Sequence, residues 1–92
     1  MKGSGSVIGQ RLREARLRAG LSQKELGIRA EIDEFTASPR VNQYERGRHI
    51  PEFQTVERFA AVLGVPAPYF YCRDDALAEW ILSYPGRLGT SK

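Results

Sequence analysis

Apolar residues along this chain recur mostly at steps of three and four, the spacing that gathers them on one face of a helix. Ile8, Leu12, Ala15 and Ala19 make the first such stripe, with Ser6 placed to cap its start and Gly20 to end it in a left-handed turn. Arg11, Arg13, Arg16 and Arg18 fill the rest of this segment, which predicts a helix apolar inside and basic outside. A second helix begins after Ser22. Glu25 stands three residues on, as a capping box requires, and Leu21 and Leu26 occupy the two positions of a hydrophobic staple. Gly27 inside this helix costs roughly 1 kcal/mol of propensity relative to Ala, and it leaves room for another helix to pack closely.

Residues 31–37 read as a loop. Ser38 then caps a third helix, with Pro39 at its first position, Val41 and Tyr44 facing inward, and Gly47 as its stop. Pro51 opens a fourth helix, whose core stripe is Phe53, Val56, Ala60 and Leu63 and whose end is Gly64. Pro66 and Pro68 bracket a tight connection into a short fifth helix around Tyr69-Phe70-Tyr71. Asp74 or Asp75 caps a sixth, with Leu77, Trp80, Ile81 and Tyr84 on one face and Pro85-Gly86 after its end. No strand alternation and no internal repeat competes with this reading. The expectation is an all-α domain of five to six short helices. A flexible lead covers residues 1–6, the main domain 7–71, a C-terminal helix 72–85 packed on the core or at a dimer interface, and a flexible tail 86–92.

Ninety-two residues make one domain, and a chain of this size buries only roughly 60–65% of its unfolded surface. Its 14 Lys and Arg residues exceed its 11 Asp and Glu residues by three, so the placement of charge matters more than its total. Eleven of the basic residues are Arg, which makes planar, bidentate contacts with phosphate and guanine. A GC-rich genome would produce the same excess. Cys72 is the single cysteine, which excludes an internal disulfide and a cysteine metal cluster and suits a reducing cytoplasm. No apolar run approaches the roughly 18 residues of a membrane span.

Catalysis finds almost no footing. His49 is the one histidine, and it can touch phosphate or do nothing. Gly3-Ser4-Gly5 and Gly9 have the wrong spacing for a phosphate loop, and no strand precedes them. Asp74-Asp75 is better explained as a helix cap than as a catalytic pair. No metal or cofactor is expected.

Four pieces stand in order along the chain: Leu21-Ser22-Gln23-Lys24-Glu25-Leu26, then Tyr44-Glu45-Arg46-Gly47, then Pro51 with Thr55, then Leu63-Gly64-Val65. Together they resemble the Cro/repressor-type, or XRE-like, helix-turn-helix family, over about Ile8 to Phe70. That resemblance implies a lambda-repressor-like domain whose second helix lies across the DNA backbone and whose third enters the major groove. It implies base reading by Ser38, Pro39, Arg40, Asn42 and Gln43, with Gln43 suited to adenine and Arg40 to guanine. It implies phosphate binding by Arg13, Gln23, Lys24, Arg46 and Arg48, and a structural role for Glu45 at the end of the third helix.

One departure from the family pattern affects the register. Glu31 stands where a glycine usually makes the turn, and Asp33-Glu34-Phe35-Thr36-Ala37 lengthens the link by about one helical turn. Asp33 and Glu34 are expected to point away from phosphate, and Phe35 to tuck into the core. The functional expectation is a sequence-specific regulator of transcription, a repressor, binding a double-stranded operator. It acts as a homodimer through Trp80, Ile81 and Tyr84. The alternative is a repressor-like interaction module, such as an antitoxin, whose main partner is a protein.

Overall fold

The capping box forms as its spacing requires. The Ser22 hydroxyl accepts from the Glu25 N–H at 3.0 Å, and the Glu25 carboxylate accepts from the Ser22 N–H at 2.8 Å. The structure, a computed structural model, describes residues 5–84; the expected flexible lead lies largely, and the tail wholly, outside them. The elements in order are α1 (Gly5–Ala19), α2 (Gln23–Arg29), α3 (Ala37–Glu45), α4 (Phe53–Leu63), a 3-10 helix (Ala67–Tyr71) and α5 (Asp75–Ser83). The expected fifth helix is thus the 3-10 segment, and the expected sixth is α5. Gly20, Gly47 and Gly64 all adopt the left-handed conformation at the helix ends the sequence marked.

The core is built from Leu12, Leu26, Val41, Val56, Phe59, Tyr69 and Phe70, all fully buried. Tyr44 meets Phe59 edge-on at 6.0 Å, and Tyr69 meets Phe70 edge-on at 5.4 Å. Two glycines let α3 approach its neighbours. A Cβ on Gly27 would fall 2.7 Å from the Ala37 Cβ, and one on Gly9 would fall 2.5 Å from the Tyr44 carbonyl oxygen. Helix α3 is therefore set against both α1 and α2 at backbone range.

Several expectations need correction. Helix α1 begins at Gly5, so Ser6 lies inside its first turn rather than before it. Ala19 is exposed, and Arg11 and Arg16, expected on the basic outside, are buried. Burial of these arginines is tolerable because each finds acceptors. Arg11 donates to the Cys72 and Arg73 carbonyls at 2.8 and 3.0 Å and pairs with Asp75 at 3.0 Å and Glu14 at 3.2 Å. Burial pulls its pKa down, but the bonds to Asp75 and Glu14 outweigh it and hold the guanidinium above its ordinary value. This side chain ties the start of α5 to α1.

Helix α3 begins earlier in the chain than Ser38 suggested: Thr36 is its N-cap and Ala37 its first residue. The cause is a turn closed by Asp33. Its carbonyl accepts from the Thr36 N–H at 3.0 Å and its carboxylate from the Phe35 N–H at 2.9 Å. The Arg40 N–H then bonds the Thr36 carbonyl, so the helix runs on directly from the turn. Pro39 falls third in the helix, where its missing N–H still costs nothing. The link is held by polar bonds and does not need Phe35 as an anchor; that ring is 85% exposed rather than in the core. Glu31 takes φ 72°, the left-handed turn that the missing glycine would have supplied.

In α4 the cap is Glu52, so Pro51 precedes the helix instead of opening it. Phe53, expected in the core stripe, is exposed against Tyr71, and Phe59, which was not expected there, is buried in the core. On α5 the buried residue is Ala78; Ile81 is half-buried, while Leu77, Trp80 and Tyr84 are exposed. Asp74 caps this helix, accepting from the Leu77 N–H at 3.0 Å.

Candidate nucleic-acid interface

Nine residues give α3 two distinct sides. Ala37, Val41 and Tyr44, spaced four and three apart, are its buried stripe. At about 100° per residue, Pro39, Asn42, Gln43 and Arg46 fall on the far side, with Arg40 on one flank and Ser38 and Glu45 on the other. Burial follows this geometry. Pro39, Arg40 and Arg46 are exposed, and Ser38, Asn42 and Gln43 are half-buried. All five expected base-reading residues thus lie off the core face of one rigid helix.

Glu45 holds the inner flank. Its carboxylate receives two bonds from the Arg16 guanidinium, at 2.6 and 3.1 Å, and one from the Gln23 side-chain nitrogen at 3.1 Å. Arg16 also donates to the Leu21 carbonyl at 3.0 Å. The group joins α1, the start of α2 and the end of α3. The structural role expected of Glu45 is what its contacts display. Gln23 is consequently a half-buried side chain with one donor already engaged, leaving its second amide hydrogen available.

The cations divide into two sets. Arg11, Arg16 and Arg18 are committed to carboxylates. Arg13, Lys24, Arg40, Arg46 and Arg48 are exposed, as are Arg29, Arg58 and Arg73, and among the described residues none of these is held in an ion pair. Arg46 and Arg48 flank Gly47, whose positive φ turns the chain out of α3 and carries Arg48 beyond the helix end. The Arg48 N–H bonds the Gln43 carbonyl at 2.9 Å, which fixes this turn against the helix.

A polar cleft of about 540 Å³ lies beside α3, lined by Arg40, Gln43, Tyr44, His49, Ile50, Glu52 and Thr55. It brings two expected readers, Arg40 and Gln43, together with His49 and Thr55, which the expected site did not include. Thr55 had a signal, its place in the motif with Pro51; His49 had none beyond following Arg48. Arg13, by contrast, shares no hydrogen bond with this group. Chemically, the arrangement offers guanidinium and amide donors along an open edge, suited to base edges and phosphate oxygens. Among the described residues no cluster of His, Cys, Asp and Glu could hold a metal, and no helix is long and apolar enough to cross a membrane.

Comparison with known proteins agrees with this geometry. The helix-turn-helix domain family matches residues 7–68. A solved structure described as the transcriptional regulator BswR is 50% identical to this chain, covers 90% of it and 86% of its own length, and superposes with a TM-score of 0.80. No curated protein matches the sequence. The family match spans the capping box, the whole of α3 and the core helices, and the chain belongs to the helix-turn-helix domain family.

Proposed function

We propose that this chain is a sequence-specific regulator of transcription that binds double-stranded DNA, reads the major groove with α3 and acts as a cytoplasmic repressor. The observation that carries the reading is the two-sided α3. One side is sealed by Ala37, Val41 and Tyr44, the other is a polar edge of Ser38, Pro39, Arg40, Asn42 and Gln43, and free cations lie at Lys24, Arg46 and Arg48. The solved relative is a transcriptional regulator, and that description supports the same role here. Phosphate contacts from Arg13, Gln23, Lys24, Arg46 and Arg48 supply most of the affinity, and the α3 edge supplies the preference.

One module spans one half-site, so a two-fold homodimer on half-sites about 10 bp apart completes the operator. The proposed contact is the α5 face. Trp80 and Tyr84 lean together in the open at 5.7 Å, beside an apolar groove of about 210 Å³ shared with Pro66, Pro68 and Ile81. Bound across a promoter, such a dimer represses by occupancy. The same exposed pair favours a second reading, a protein-binding module. A monomeric mass together with no duplex binding selects that alternative.

The test is duplex selection from a random library, followed by two variants. Arg48→Ala weakens binding on every duplex and lowers the salt slope by about one, whereas Gln43→Ala chiefly relaxes preference at one base pair. Equal loss from both variants on every duplex removes Gln43 from the reading set.

A further inference from the structure

We propose that Phe35 is an additional specificity-determining residue, an apolar contact for the 5-methyl group of thymine at the N-terminal end of α3. The proposal rests on the groove-reading role of α3. A Phe side chain left in water forgoes the gain of burying it, and this ring is 85% exposed. Other exposed aromatics of the protein have ring partners: Phe53 lies against Tyr71, and Trp80 against Tyr84. Among the described residues Phe35 has none.

Its backbone is nevertheless fixed. The Phe35 N–H is held by the Asp33 carboxylate, and the next residue, Thr36, donates both its N–H and its hydroxyl to the Asp33 carbonyl, at 3.0 and 3.3 Å. The ring is therefore displayed by an ordered turn. The turn runs straight into α3, the Arg40 N–H bonding the Thr36 carbonyl, so the exposed ring stands two residues before the first residue of that helix, at its N-terminal end. The N-terminal end of a recognition helix is the part that meets base edges. The apolar feature of those edges is the thymine methyl, which takes contacts from residues such as Phe. The acidic neighbour Asp33 is turned onto the backbone of its own link, and a ring contact inside the groove needs no phosphate beside it.

The experiment replaces each thymine of a selected duplex, one at a time, with deoxyuridine, which removes only the methyl group. The wild-type chain is expected to lose about fourfold in affinity at one thymine per half-site, the equivalent of one methyl group left unburied. Phe35→Ala binds the unmodified duplex correspondingly more weakly and ignores that replacement; Phe35→Leu keeps the sensitivity. The melting temperature stays unchanged in both, as suits so exposed a position. An identical deoxyuridine profile for wild type and Phe35→Ala overturns the proposal while leaving duplex binding intact. A fall in solution mass for Phe35→Ala with no change in that profile overturns it too, by assigning the ring to a protein contact. Failure of the wild-type chain to bind any duplex overturns the DNA-reading role itself, and this contact with it.

Discussion

Helices α3 and α5 are each nine residues long, yet they sit in the fold in opposite ways. Helix α3 buries Ala37, Val41 and Tyr44, approaches Gly9 and Gly27 at backbone range, and is pinned at its end by the Glu45 carboxylate. Helix α5 buries only Ala78, is tied at its start through Asp75 to Arg11, and leaves Leu77, Trp80 and Tyr84 in water. A helix that reads another surface must not move, because small displacements misplace every donor along it. A helix whose apolar face the described residues leave uncovered is suited to be covered by a partner.

The largest effect is expected where α3 is pinned. Glu45→Ala leaves the buried Arg16 without its carboxylate partner, and breaking a buried pair of this kind costs about 3 kcal/mol. Thermal melting should show the loss clearly; an unchanged melting temperature would mean that α3 is held by packing alone. The contrasting change on α5 is Trp80→Ser. Trp80 is 58% exposed, so the variant should melt within about 1 kcal/mol of wild type, while its mass in solution falls from dimer to monomer. A wild-type mass of one chain would remove α5 as the two-fold contact.

Glu31→Gly should act in the other direction. Glu31 holds the left-handed turn between α2 and α3 at φ 72°, and relieving it should stabilise the protein by about 1 kcal/mol, read as a raised urea midpoint. A lower midpoint would show that the Glu31 side chain contributes more than its backbone strain takes away.

The smallest effect concerns pH. The Ser22 N–H and hydroxyl hold the Glu25 carboxyl below its ordinary range. Its contribution to α2 is thus present above the unfolded pKa and disappears as pH falls through the lowered folded one. Urea midpoints measured from neutral to acid pH should fall less for Glu25→Gln than for wild type. Parallel curves would mean that the capping box carries no pH dependence.

What the chain made legible was local. The capping box needs only Ser22 and Glu25 three apart, and the helix stops need only Gly20, Gly47 and Gly64 in place. The inward pair Val41 and Tyr44 followed from spacing, and with it the outward side of α3. What it hid was tertiary or conditional. The burial of Arg11 was hidden because its partners other than Glu14 lie 61 to 64 positions away, a distance at which periodicity carries no signal. Phe35 was expected inside because it is apolar, but Asp33 closes the link with polar bonds and makes that anchor unnecessary. The same turn starts α3 at Ala37, which shifts Ser38 from cap to second residue.

Helix α3, and not α5, is the proposed meeting point with nucleic acid. The most direct test is the change in amide and side-chain NMR signals as a selected duplex is added to the labelled protein. The main changes are expected at Arg40, Asn42, Gln43, Arg46 and Arg48, with the Trp80 indole signal unmoved. Shifts concentrated at Trp80 and Tyr84, with the α3 edge silent, would contradict it.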